Sequence, residues 1–372
     1  MYKSPLVVGI RQFANWDEAG SIEATLYGLG QNTGNMMFTQ ALLSVLDGAR
    51  WGHFGIAPAD LEGRDVIVIA CANWINGFDD FGWLADRLQR TSLPIVLVGI
   101  GAQSSLEMTM PKVTPGTLRF LSLVKDRSAS ISARGAFTCE VLEKLGIKNA
   151  VTTGCPSLLL AGREGPSIVI PDSISNETSC VQATRHGVQP AAPFDAQLYR
   201  LAFREKMDIV LQSETPDIYC ALGKPAPAGK EEQFAEVLKE SYGSNDLDAI
   251  SDYLRQHGRV FSNVASWLAY MKTKHFCFGS RIHGTVASLI SGTPATLIAH
   301  DSRTLEMARA MSIPYVLQSE VGSIDDLSNK LLLRNDILQL ATNYRHYFDA
   351  FSSYFASNDL AFADCYKTRE FA

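Results

Sequence analysis

Residues 274–299 read KHFCFGSRIHGTVASLISGTPATLIA, and this stretch decides the fold. Residues 275–278 form a short apolar run, broken by Gly279 and Ser280. Residues 282–291 have helical spacing, with small residues on one face and Val286, Leu289 and Ile290 on the other. Gly292 falls where a helix C′ residue is expected, and Pro294 cannot continue a helix. Ala295 opens a second buried run. Two apolar runs joined by one short helix predict a βαβ unit, and therefore a parallel sheet.

The turn inside that unit carries the chemistry. Residues 279–283 fall where the carboxyl end of a strand meets a helix N-terminus. Free N–H groups and the positive end of the helix dipole gather at such a place, and anions bind there. Arg281 adds a planar fork suited to phosphate or carboxylate. His283 adds a group that exchanges protons near neutral pH. The competing structural roles are a core carboxylate pairing with Arg281 and a backbone carbonyl accepting from His283. An Arg and a His two apart in a glycine-flanked turn favour the ligand site.

Working outward, residues 6–10 and 93–99 read as strands, and the β-branched run DVIVIAC at 65–71 reads as a strand covered on both faces. The loop 28–37, GLGQNTGNMM, precedes a helix over 38–46. It lacks both the GxGxxG spacing and a following Lys-Ser/Thr, which excludes a Walker loop. Its polar residues suit either a ligand cleft or a turn bonding its own backbone. The loop 73–83, NWINGFDDFGW, mixes Asp79 and Asp80 with aromatic residues. That mixture suits a sugar, and helix capping by an Asp accounts for the acidic pair equally well. Gly99 and Gly101 in GIGAQ let the backbone approach a ligand or a helix closely. Arg134 closes a strand over 130–133 and has a salt bridge at a domain seam as its alternative role. Residues 161–166, AGREGP, read as a linker. A strand over 167–170 restarts the alternation, and 172–193 reads as a polar surface excursion. The expected units are 1–163, 164–334 and a helical tail, 335–372, crossing back over the first unit.

Composition bounds the function. The chain has 372 residues with 46% hydrophobic and 19% charged residues, as in a folded globule of two domains. A net charge of −6 argues against a nucleic-acid footprint. No signal peptide and no transmembrane run is read. The seven cysteines include no CxxC pair, so no metal is expected, and buried free thiols fit a cytoplasmic protein.

Residues 278–294, FGSRIHGTVASLISGTP, resemble the C-terminal signature of the polysaccharide pyruvyl transferase family. Three further stretches resemble it in the same order: Asn32, Gly34 and Asn35 before a helix; GIGAQ at 99–103; and Arg134 followed by the EVLEKLG helix at 140–146. At Cys155 the sequence departs from the family, which often has Asp before this proline. The resemblance implies an α/β fold of two doubly wound Rossmann-like domains facing across a cleft, a glycosyltransferase-B-like arrangement. It implies transfer of a pyruvyl group from phosphoenolpyruvate to a sugar, free or lipid-linked, as a ketal, with no cofactor. The expected donor site is Arg281, Ile282, His283 and Arg134, with His283 as proton carrier. The expected acceptor side is Asn32, Asn35, Asp80 and Gln103. Two rivals stand beside this reading: a nucleotide-sugar glycosyltransferase, and a non-catalytic glycan- or anion-binding module.

Overall fold

The computed structural model describes residues 1–17, 21–322, 331–332 and 334–367. Two parallel sheets organise the chain. In the first half, β1 (Pro5–Val8), β2 (Arg50–Gly52), β3 (Val66–Ala70) and β4 (Ile95–Val98) lie in the order β2-β1-β3-β4. The sheet extends through a bridge between Ile100 and Ala133 to β5 (Ile131–Ala133), which pairs with β6 (Ala150–Thr152). In the second half, β7 (Ser179–Gln182), β8 (Asp208–Val210), β9 (Gly258–Arg259), β10 (Phe276–Gly279), β11 (Ala295–Ala299) and β12 (Tyr315–Leu317) form a six-stranded sheet. Its order is β9-β8-β7-β10-β11-β12. Every pairing between these strands is parallel.

This is the doubly wound α/β architecture expected, with the chain reversing direction between β1 and β3 and between β7 and β10. Ligands in open sheets of this kind bind outside the carboxyl ends of the strands at such switch points. The two switch points face each other across a cleft. The halves are also tied together directly. The amide of Thr33 donates to the carbonyl of Gln212 at 2.9 Å, and the Ser302 hydroxyl donates to the carbonyl of Ser104 at 2.9 Å. One core cluster runs through both halves and the C-terminal helix.

The second sheet corrects two sequence expectations. Residues 167–170 are not a strand, and the stretch read as a surface excursion contains β7, the central strand. Ser179 and Gln182 gave β7 a polar look. Both are fully buried because each is satisfied locally: the Ser179 hydroxyl donates to the Ser175 carbonyl at 2.7 Å, and the Gln182 carboxamide meets the Thr285 hydroxyl at 3.0 Å.

The tail forms the helix Arg334–Ser357. Leu340, Tyr344, Tyr347, Phe351 and Tyr354 repeat every three or four residues, making one buried stripe. Three of its hydroxyls reach first-half carbonyls: Tyr344 to Gly162 at 2.5 Å, Tyr347 to Cys155 at 2.6 Å and Tyr354 to Leu97 at 2.8 Å. Among the described residues no helix is long and apolar enough to cross a membrane.

Candidate active site

The βα turn of the signature is built by glycine. Gly279 has φ +146°, and a Cβ there would lie 1.7 Å from the carbonyl oxygen of Gln182, so β7 and β10 meet this closely only without a side chain. The helix Ile282–Ile290 follows with no side-chain cap at its N-terminus. Its first turn and the ends of the neighbouring strands concentrate basic groups. Three adjacent strands each end in an Arg and a His: Arg185 and His186 after β7, Arg281 and His283 after β10, His300 and Arg303 after β11. All but Arg185 line a small cavity of about 90 Å³, together with Ile282 and, from the first half, Asn32, Asn35, Asn73 and Arg134.

The two expected donor arginines differ in how their charge is met. Arg281 is 5% exposed. Its Nε donates to the carbonyl of Ala183 at 3.1 Å, and its Nη2 donates to the carbonyl of Arg185 at 2.6 Å and to Glu214 Oε1 at 2.5 Å. The structural role weighed for Arg281 is therefore present in full: a buried carboxylate holds it. Burial alone would raise the Glu214 pKa, but Arg281 and the amides of Ser213 and Gln212 hold it below the usual carboxylate range. Arg134 is as deeply buried, at 2%, and among the described residues makes no ion pair, with Glu306 acting on it only at longer range. It donates to the Gly99 carbonyl at 2.8 Å, Asn73 Oδ1 at 2.9 Å and the Cys71 carbonyl at 3.1 Å. These acceptors are all neutral, so the Arg134 charge remains available to an anion. Burial presses its pKa down. Gln212 Nε2 adds a buried amide donor to the same cavity, with no partner among the described residues.

His283 is buried beneath this cavity, its ring centroid 5.8 Å from that of Phe38. Nε2 lies 3.6 Å from the Cys155 thiol, which also receives the Ser157 hydroxyl at 3.2 Å. Among the described residues no backbone carbonyl takes the role anticipated for a purely structural histidine. Burial, then Arg134 and Arg281, lower its pKa to about 3, so the imidazole is neutral at physiological pH. His186 is lowered to about 4 by burial and by Arg281. His300 keeps a buried Nδ1 without a partner among the described residues, and Arg303 Nε donates to Asp301 Oδ2 at 2.5 Å.

The acceptor-side expectations divide. Asn32, Asn35 and Gln103 line a larger cavity of about 350 Å³ that adjoins the first and shares with it Asn32, Asn35, Asn73, His186 and Arg303. Asn32 and Asn35 also hold their own loop: Asn32 Oδ1 accepts from the Gly34 amide at 2.8 Å, and Asn35 Nδ2 donates to the Leu29 carbonyl at 3.0 Å. Asp80 lies apart from the other expected acceptor residues. It lines neither cavity, because its two oxygens accept from the amides of Gly82 at 2.8 Å and Gly116 at 3.0 Å, pinning the starts of two helices. Its neighbour Asp79 lines the larger cavity instead.

His186, His300, Arg303 and Gln212 escaped the sequence reading. A signal for the first was present: Thr184-Arg-His-Gly repeats the wording of Ser280-Arg-Ile-His-Gly, at the end of the adjacent strand. Gln212 and His300 stand alone just after strands and Arg303 in the first turn of the helix Ser302–Ala310, and only the sheet order brings them to the cleft.

No curated protein sequence matches the chain. Among solved structures, the chain is similar to HepE of Anabaena in complex with UDP and glucose, at 10% identity and a TM-score of 0.44, over 96% of this chain and 97% of that one. It is also similar to the UDP-GlcNAc 2-epimerase of Neisseria meningitidis bound to UDP-GlcNAc, at 10% identity and a TM-score of 0.45, over 96% and 100% of the two chains. A family profile described as polysaccharide pyruvyl transferase matches residues 32–302, a span that takes in the 32–35 loop, Arg134 and the whole β10 signature. The chain belongs to the polysaccharide pyruvyl transferase family.

Proposed function

We propose that this protein transfers the pyruvyl group of phosphoenolpyruvate to two hydroxyls of a sugar, giving a cyclic ketal and inorganic phosphate. The observation that carries this reading is a buried cation in the small cavity: among the described residues Arg134 bonds only neutral acceptors, and the uncapped helix N-terminus at Ile282 lines the same cavity. A buried charge without an ion pair is costly, and a bound anion offsets that cost. Phosphoenolpyruvate brings a phosphate and a carboxylate. Arg134 and the helix N-terminus suit one of them, and Arg281 and Gln212 the other.

In the proposed reaction the donor's CH2 gains a proton and becomes a methyl group as positive charge develops at C2. One sugar oxygen bonds to C2 and loses its proton. The second sugar oxygen then bonds to C2 and phosphate departs, taking the second hydroxyl proton. Neutral His283 is suited to accept the first hydroxyl's proton and pass it to the donor's CH2, so that the proton gained there is the one the sugar loses. The bound donor favours the imidazolium and so raises the His283 pKa toward the working range. Sugar hydroxyls reach this centre from the larger cavity, past Asn32, Asn35 and Gln103.

The test incubates the purified protein with phosphoenolpyruvate and a panel of glycans, free and lipid-linked. Phosphate release with a matching mass gain on the glycan is expected. Turnover of a nucleotide sugar instead would support a glycosyltransferase, and donor binding without turnover of either would support a binding module.

A further inference from the structure

The larger cavity has one aromatic side. Phe81 stacks on Trp74 with centroids 4.3 Å apart and planes at 20°, and Phe54 stands edge-on to Trp83 at 6.4 Å and 84°. These rings are held in place. Trp74 is 8% exposed, and the Arg87 guanidinium lies 5.7 Å from the Trp83 ring while donating to the Gly55 carbonyl. Trp83 itself is 44% exposed and lines the cavity. The polar part of the lining includes Asp79 and Gln103. Asp79 Oδ2 accepts from Asn76 Nδ2 at 2.9 Å, and among the described residues no donor meets Oδ1.

An apolar wall in the same cavity as hydrogen-bonding groups matches a pyranose, whose ring carbons present an apolar C–H face and whose edges carry hydroxyls. The Asp79 carboxylate accepts hydroxyl protons but repels a second carboxylate or a phosphate. We propose that Trp83, Phe54 and Phe81 form a stacking subsite for an uncharged pyranose, oriented by Asp79 and Gln103. This rests on the transferase reading and names the class of its acceptor. The two cavities share a wall, so a pyranose seated here presents hydroxyls toward the donor side.

Saturation-transfer NMR with methyl glucoside, galactoside and mannoside, the methyl glucuronoside and UMP tests this on the full chain. At least one neutral glycoside is expected to receive saturation on its ring C–H protons, with the glucuronoside and UMP well below it. Trp83→Ala should weaken that glycoside about tenfold, with Trp83→Phe restoring most of the affinity. Asp79→Asn should narrow the gap to the glucuronoside. Calorimetric affinity for phosphoenolpyruvate should stay unchanged in all three variants. Binding of no neutral glycoside at millimolar concentration, equal binding of the glucuronoside, preferential binding of UMP, or indifference to Trp83→Ala would overturn the subsite. Glycoside binding with no affinity for phosphoenolpyruvate would instead leave the subsite standing and remove the transferase reading.

Discussion

His283 and Arg281 stand two residues apart, yet their surroundings assign them different tasks. The His283 imidazole is kept neutral by burial and two guanidiniums, with a thiol rather than a carboxylate at Nε2. That suits a group that receives a proton during the reaction. Replacing it by Gln keeps a hydrogen bond but ends proton transfer. We expect His283→Gln to lower kcat roughly 100- to 10,000-fold, with calorimetric affinity for phosphoenolpyruvate changing far less. A variant that loses donor binding instead would make His283 a clamp. The arginines separate by a different measurement. Arg281 is held by two carbonyls and Glu214, so Arg281→Lys should cost stability as well as donor affinity, on the order of 1–3 kcal/mol for the charged hydrogen bonds lost. Arg134 bonds no carboxylate among the described residues, so Arg134→Lys should show the larger share of its loss in donor affinity. Urea unfolding and calorimetry on both variants check this, and equal partition in the two would remove the distinction.

The elements that were legible in the sequence are those whose local signals agree. β10, the helix Ile282–Ile290 and the positive φ of Gly292 follow from an apolar run, a small-residue helix face and a Gly-Thr-Pro stop. β7 was illegible because its four residues, Ser-Cys-Val-Gln, put a polar side chain at each end of a strand that is buried throughout. Its strand character comes from β8 and β10 pairing on either side, which no local window shows. The same tertiary assembly brings His186 and Arg303 to the cleft and leaves Asp80 outside it. The β7–β10 contact makes a sharp prediction. Gly279→Ala combines a disfavoured φ with a collision against the Gln182 carbonyl, so it should destabilise by roughly 2–6 kcal/mol, strain and overpacking together. Gly146 also has a positive φ, +82°, but nothing lies within 4 Å of its Cβ position. Gly146→Ala should therefore cost only about 1–2 kcal/mol. Equal losses in urea unfolding would mean that the contact between strands does not limit this position.

For the molecule as a whole, stability depends on groups buried where the halves meet. The amide of Ala102 donates to Thr138 Oγ1 at 2.9 Å, and that hydroxyl in turn donates to Glu306 Oε1 at 2.7 Å, linking the first half to the helix Ser302–Ala310. The Thr138 amide donates to Glu306 Oε2 at 3.0 Å. Burial outweighs these bonds and raises the Glu306 pKa from 4.5 to about 7. The folded protein thus holds this proton to higher pH than the unfolded chain does. Glu306 contributes full stability below about pH 4.5 and loses it as pH rises through about 7. His283 and His186 act in the opposite sense, because their folded values are lowered from 6.5 to about 3 and about 4. Their contribution is present above 6.5 and lost as pH falls. Glu306→Gln leaves the histidines in place and removes only the loss on the alkaline side. Relative to the parent chain, the variant should gain up to about 3 kcal/mol between pH 4.5 and about pH 8, at about 1.4 kcal/mol per pKa unit. Urea unfolding of both proteins across that range measures the difference directly. A difference that stays constant with pH would show that Glu306 titrates alike in the folded and unfolded chains, and that burial between the halves does not hold its proton.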